Sequence, residues 1–188
     1  MRARNVNEIN INKFWKFLEK WITTGNAPKK IDLDYLLTEF PFKYKGIGYR
    51  VLGTPKNLLP IDLNDNKMKS FSDSLSGIAT VLDGFQYGGM IEDLNYLDEI
   101  PVYVDYIEGL DIVKSLNYIS KNMEIDDTFL QYIDQDEIIS HYNNPKLKYI
   151  IKSEDGDRLG YQAYSFIPIN DWNNGIRKGK QIYSKQYA

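Results

Sequence analysis

Apolar side chains recur at Ile11, Phe14, Trp15, Leu18 and Ile22. That i, i+3, i+4, i+7 rhythm predicts an amphipathic helix over residues 9–22, ended by Gly25 and Pro28. A second short helix is expected over 31–40, starting near Asp32. It should stop before Pro41, because the residue ahead of a proline is pushed out of helical backbone. Beyond Pro41 the rhythm shortens to two. KYKGIGYRVL, residues 43–52, alternates and reads as a strand. Residues 53–69 form a polar loop, and 70–76 are rich in serine. A helix can begin at Ile78 to Leu82, and the glycines within 84–89 mark a flexible loop. IPVYVDYI, residues 100–107, is the clearest strand in the chain, and 111–121 reads as a helix. YIDQDEII, residues 132–139, suits a strand entered from an acidic loop. Residues 147–152 and 159–167 form a hairpin joined by SEDGD, where Asp155-Gly156 is a good turn. Helices come first and strands follow, which indicates an α+β fold rather than repeated βαβ units.

The 188 residues suffice for one compact domain with a terminal extension. The pattern divides them into an N-terminal helical segment (1–40), a main domain (41–170) and a basic C-terminal tail (171–188). Fifteen tyrosines suit strands and aromatic-lined clefts. A net charge of −3 gives no reason to expect nucleic-acid binding by charge. The charge is uneven: residues 92–137 carry thirteen acids against two lysines, flanked by basic ends. That is either a solvated acidic face or one that meets a basic partner.

The absence of cysteine excludes disulfides, a thiol nucleophile and zinc–thiolate sites. His141 is the only histidine, which excludes a histidine metal cluster, and no metal is expected. MRARNVNEININKF lacks the apolar core of a signal peptide, and no run is long enough to span a membrane. The expectation is a cytoplasmic protein, in the host cytoplasm if phage-encoded, since the Lys-, Asn- and Ile-rich composition suits a bacterial or phage source.

Three short segments carry candidate chemistry. Arg50 sits in an otherwise apolar strand, where its planar guanidinium must reach an anion, a carboxylate or solvent. In SFSDSLS, Ser70, Ser72, Ser74 and Ser76 share one face of an extended chain, or else Ser74 or Ser76 caps the helix that follows. In QDEII, a strand would place Gln135 and Glu137 on one face and Asp136 on the other. The alternative is an acidic strand edge.

Taken in order, Tyr49-Arg50, then SFSDSLSGIATVL, then QDEII resembles the Arg–Ser–Glu signature of the mono-ADP-ribosyltransferases over roughly residues 42–168. That resemblance implies a split, mixed β-sheet core with helices and NAD as co-substrate, bound between two sheets. It also implies transfer of ADP-ribose to a macromolecular acceptor, protein more than nucleic acid, with release of nicotinamide. Glu137 would stabilise the cationic ribose of the transition state, and Gln135 would orient the acceptor. Arg50 would hold the phosphate and ribose region. Ser72, with Ser70 or Ser74, would brace Arg50 and Glu137. Phe71 or Tyr87 would stack on nicotinamide.

The serine motif departs from the usual Ser-Thr-Ser, reading Ser72-Asp73-Ser74 or, in a second register, Ser70-Phe71-Ser72. Gln135 stands where arginine-modifying members carry Glu, which points away from arginine as acceptor. Two other readings stay open: a non-catalytic binding module on the same fold, and a glycoside hydrolase pairing Glu137 with Asp105, Glu108 or Asp111.

Overall fold

The computed structural model describes residues 9–51, 67–87, 99–154 and 163–184. The two N-terminal helices form where the pattern places them. Helix α1, Ile11–Thr24, is capped by Asn10 and ends at Gly25, whose φ of 66° favours glycine. Helix α2, Leu33–Glu39, is capped by Asp32. Then come β1 (Lys43–Val51), β2 (Lys69–Ser72) and α3 (Leu75–Tyr87). β3 (Ile100–Asp111) leads directly into α4 (Ile112–Asn122). A 3₁₀ helix, Asp127–Gln135, precedes β4 (Glu137–Ser140). β5 (Lys146–Glu154), β6 (Ala163–Pro168), α5 (Ile169–Asn173) and β7 (Lys180–Tyr183) complete the order.

Among the described residues the seven strands form one sheet in the order β1-β2-β4-β3-β5-β6-β7. The fold is therefore α+β, as the element order implied. Every pairing is antiparallel, where a mixed sheet was expected.

The sheet is divided along β3. One edge of β3 pairs with β1 from Lys43↔Leu110 to Val51↔Val102. The other edge meets β5 between Ile100 and Val104, and β4 only at Leu110 and Asp111. β4 pairs onward with β2, and β2 returns to β1 through Tyr49↔Ser72. Strands β1, β2, β4 and β3 thus close on themselves. Phe71, Ile107 and Ile138 fill the inside. Gly48 makes room there, since a Cβ on it would lie 2.5 Å from Ile107 Cδ1.

Two apolar clusters cover the outside. In one, α1, α2 and α4 bury Phe14, Leu18, Leu36, Leu116 and Ile119 against Leu110 and Ile139. In the other, α3 lays Ile78 and Leu82 on Val51, Val102, Ile151 and Phe166. Helix α1 thus shares one apolar cluster with α2, α4 and the sheet.

Several sequence expectations change. Residues 132–135 are 3₁₀ helix rather than strand, because Phe129, Tyr132 and Ile133 follow a helical spacing. The last two pack on the α1–α4 cluster. Residues 84–87 continue α3 instead of forming a loop. The stretch expected as a tail, 171–188, contributes most of α5 and the edge strand β7, whose Ile182 packs on the α3 cluster. The strand at 147–152 and the described part of 159–167, from Ala163, do pair antiparallel, as β5 and β6; residues 159–162 lie outside the described residues. The loop at 53–66, residues 88–89 and most of the SEDGD turn lie outside the described residues.

Candidate active site

Strand alternation places Ser70 and Ser72 on one face of β2 and Phe71 on the other. The register then sets Tyr49, Ser72 and Glu137 in a row across β1, β2 and β4. Arg50, Ser70, Ser72 and Glu137, distant in sequence, are thus brought to one end of the closed strands.

Glu137 opens β4 and is 7% exposed. The Ser70 hydroxyl donates to its Oε1. The indole N–H of Trp21, from the last turn of α1, donates to the same oxygen at 2.7 Å. Arg50 Nη1 donates to the Ser70 carbonyl at 2.6 Å, so one serine ties the arginine to the carboxylate. Burial pushes the Glu137 carboxyl above the usual carboxylate range; the bonds from Ser70 and Trp21 and the positive charge of Arg50 pull it down without offsetting that burial. A carboxyl held in this balance can accept a hydroxyl or face a developing cation, and its environment makes the ionised form costly when nothing is bound.

The other serines build the frame. Ser72 Oγ donates to the main-chain carbonyls of Gln135 at 2.8 Å and Ser74 at 3.0 Å. Ser74 is the N-cap of α3: its Oγ accepts from Gly77 N at 2.9 Å and donates to the Asp136 carboxylate. The capping alternative weighed for Ser74 is therefore the one it adopts, and Ser70 and Ser72 form the register that touches Glu137 and its neighbours. Asp136 takes a left-handed backbone, φ 49°, and its carbonyl accepts from Asp73 N at 3.0 Å. Gly77 permits the close approach of α3, since a Cβ there would lie 2.1 Å from Ser72 Oγ and 2.5 Å from the Gln135 carbonyl.

Two expected site residues are placed differently. Gln135 ends the 3₁₀ helix, and the reversed backbone at Asp136 separates it from β4, so no common strand face aligns it with Glu137. Phe71 is 3% exposed and packs edge-on to Tyr142 inside the closed strands, turned away from Ser70 and Ser72. It is a core residue with no free ring face for nicotinamide. The side chain of Tyr87, the other stacking candidate, lies outside the described residues.

Trp21 was missed from sequence. It lies on the apolar stripe of α1, and nothing local distinguishes it from its packing neighbours.

The remaining acids have structural posts. Asp105 accepts from Asn143 N at 2.6 Å and Asn144 N at 2.9 Å, and Asp111 caps α4 through Lys114 N. Glu108 is exposed and pairs in register with Lys45. Asp111 lies nearest Glu137 along the sheet, in register with Ile138. His141 lines an open cleft of about 340 Å³ with Lys45, Tyr106 and Glu108, at the opposite end of β4 from Glu137. Among the described residues no group of three His, Asp or Glu side chains could hold a metal ion, and no helix is long and apolar enough to cross a membrane. The chain matches no family model, no curated protein and no solved structure.

Proposed function

We propose that this protein is an NAD-dependent mono-ADP-ribosyltransferase, transferring ADP-ribose to a macromolecular acceptor with release of nicotinamide. The observation that carries the reading is the link Arg50–Ser70–Glu137: guanidinium on the serine carbonyl, serine hydroxyl on the carboxylate. Three motifs that resemble a family signature only as an ordered set meet at one place in the fold. The sheet is antiparallel throughout, so the reading rests on the site and not on the strand topology.

The donor set suits NAD. A guanidinium matches a diphosphate or ribose oxygen, and a carboxylate matches a ribose hydroxyl. Cleaving the nicotinamide–ribose bond builds positive charge on the sugar. Glu137 would accept from a ribose hydroxyl and stabilise that charge, as carboxylates do in glycoside cleavage. Arg50, held by Ser70, would position the phosphate side. Gln135 would act on the acceptor from the 3₁₀ helix. The acidic balance of the sequence over residues 92–137 suits a protein acceptor with a basic face.

A second reading is a binding module that keeps the fold without turnover. It is favoured by the burial of Glu137 beneath Trp21. Incubation with labelled NAD separates the two: the enzyme liberates nicotinamide and loses that activity in Glu137→Gln. Absence of release at any NAD concentration that demonstrably binds would leave the module.

A further inference from the structure

We propose that Trp21 is a positioning residue for Glu137, so that the N-terminal helix supplies part of the site. This rests on the reading of Glu137 as the catalytic carboxylate.

The geometry is specific. Trp21 Nε1 and Ser70 Oγ converge on one oxygen, Oε1, from opposite elements, α1 and β2. No other described donor bonds the second oxygen. Two donors on one oxygen fix the carboxylate plane and leave Oε2 to accept from a ligand hydroxyl. The indole itself cannot drift: Trp21 is 4% exposed and stacks near Phe17, in a cluster with Phe14 and Leu18 that is wholly inside the core. A rigid donor costs little entropy at the moment of binding, which makes it a preorganised contact. A plain packing role would be served by phenylalanine or leucine, and neither requires an N–H aimed at a buried carboxylate. The charged group acting on Glu137 among the described residues is Arg50 of β1, while α1 and β2 face it with the neutral donors Trp21 and Ser70.

Two consequences separate positioning from packing. Removing the indole N–H should lower nicotinamide release through kcat, by about tenfold or more, since a hydrogen bond to a charged group is lost. It should also move the acidic limb of the pH–rate profile to higher pH, because that bond favours the ionised form. A packing defect would lower the amount of folded enzyme and leave the limb in place.

The experiment has two arms. In the first, Trp15 and Trp172 are replaced by Phe, so that Trp21 is the remaining tryptophan and is excited selectively beyond the tyrosine band. Its emission is followed against pH with and without Glu137→Gln, in the absence of NAD. A titration step that vanishes in Glu137→Gln establishes the contact whether or not the protein is an enzyme; emission indifferent to that substitution overturns the proposal. In the second, Trp21→Phe and Trp21 replaced by benzothienylalanine are assayed for nicotinamide release across pH. Benzothienylalanine keeps the bicyclic shape and lacks the N–H, so it remains informative if Trp21→Phe folds poorly. A shifted limb with reduced kcat and little change in KM supports positioning; an unshifted limb with unchanged kcat refutes it. If wild-type protein releases no nicotinamide while the first arm succeeds, the enzymatic reading has failed and the Trp21–Glu137 contact has not.

Discussion

The Ser72 hydroxyl donates to the main-chain carbonyl of Gln135 at 2.8 Å across 63 positions of sequence. This bond ties the end of β2 to the turn that delivers Glu137, and α3 closes over it at Gly77. Gly77→Ala should therefore be damaging out of proportion to its size. Its Cβ would meet Ser72 Oγ at 2.1 Å, so something must shift. Overpacking of this kind costs about 1–3 kcal/mol. The expected outcome is a lower melting temperature together with reduced nicotinamide release. A Gly77→Ala protein that matches wild type in both would remove Ser72–Gln135 from the frame of the site.

Glu137→Gln should abolish turnover yet stabilise the fold at neutral pH. Loss of one preorganised electrostatic contact lowers rate by about 100- to 1,000-fold. The stability sign follows from the raised folded-state value of Glu137, caused first by burial. Below the ordinary glutamate range both folded and unfolded carboxyls are protonated, and that term is fully present. As pH rises the unfolded chain ionises first, and the contribution is lost as pH climbs through the raised folded value. Melting curves of both proteins should diverge from acid to neutral pH, with the Gln variant the higher. A constant gap across pH would contradict the buried-carboxylate description.

Gln135→Ala keeps the carbonyl that accepts from Ser72, so the fold should tolerate it. Nicotinamide release with water as acceptor should persist, while label transfer to a macromolecule falls, on the order of 100-fold. The two activities are to be measured side by side. Equal loss of both would mean that Gln135 serves the carboxylate and not the acceptor.

Asp83 provides a control away from the site. It is 1% exposed, burial raises its carboxyl above the usual range, and the Tyr164 hydroxyl donates to it. Tyr164→Phe should cost about 1–3 kcal/mol by removing one of the two hydroxyls, Tyr164 and Ser184, that serve this buried carboxyl. Nicotinamide release per folded molecule should be unchanged. A selective loss of activity would place the α3–β6 contact in the catalytic machinery.

Local patterns were decisive for local structure. The stripe from Ile11 to Ile22 specified α1, Asp32 marked the start of α2, alternation specified β1, and strand-forming runs specified β3 and the β5–β6 pair. Those signals are legible because a helix or strand partitions its own side chains between core and solvent with a fixed period. The ordered Arg50, Ser70/Ser72 and Glu137 motifs were legible too, as residue types in sequence order. Only the tertiary structure decided which serine touches Glu137, that Phe71 faces inward, that Gln135 sits outside the strand, and that Trp21 reaches the carboxylate. Strand register and helix docking are set by burial against partners tens of residues away. A one-residue change in register reverses every face of a strand. Trp21 and Glu137 meet because α1 must bury Phe14 and Leu18 on the sheet, and that packing carries the indole to the carboxylate.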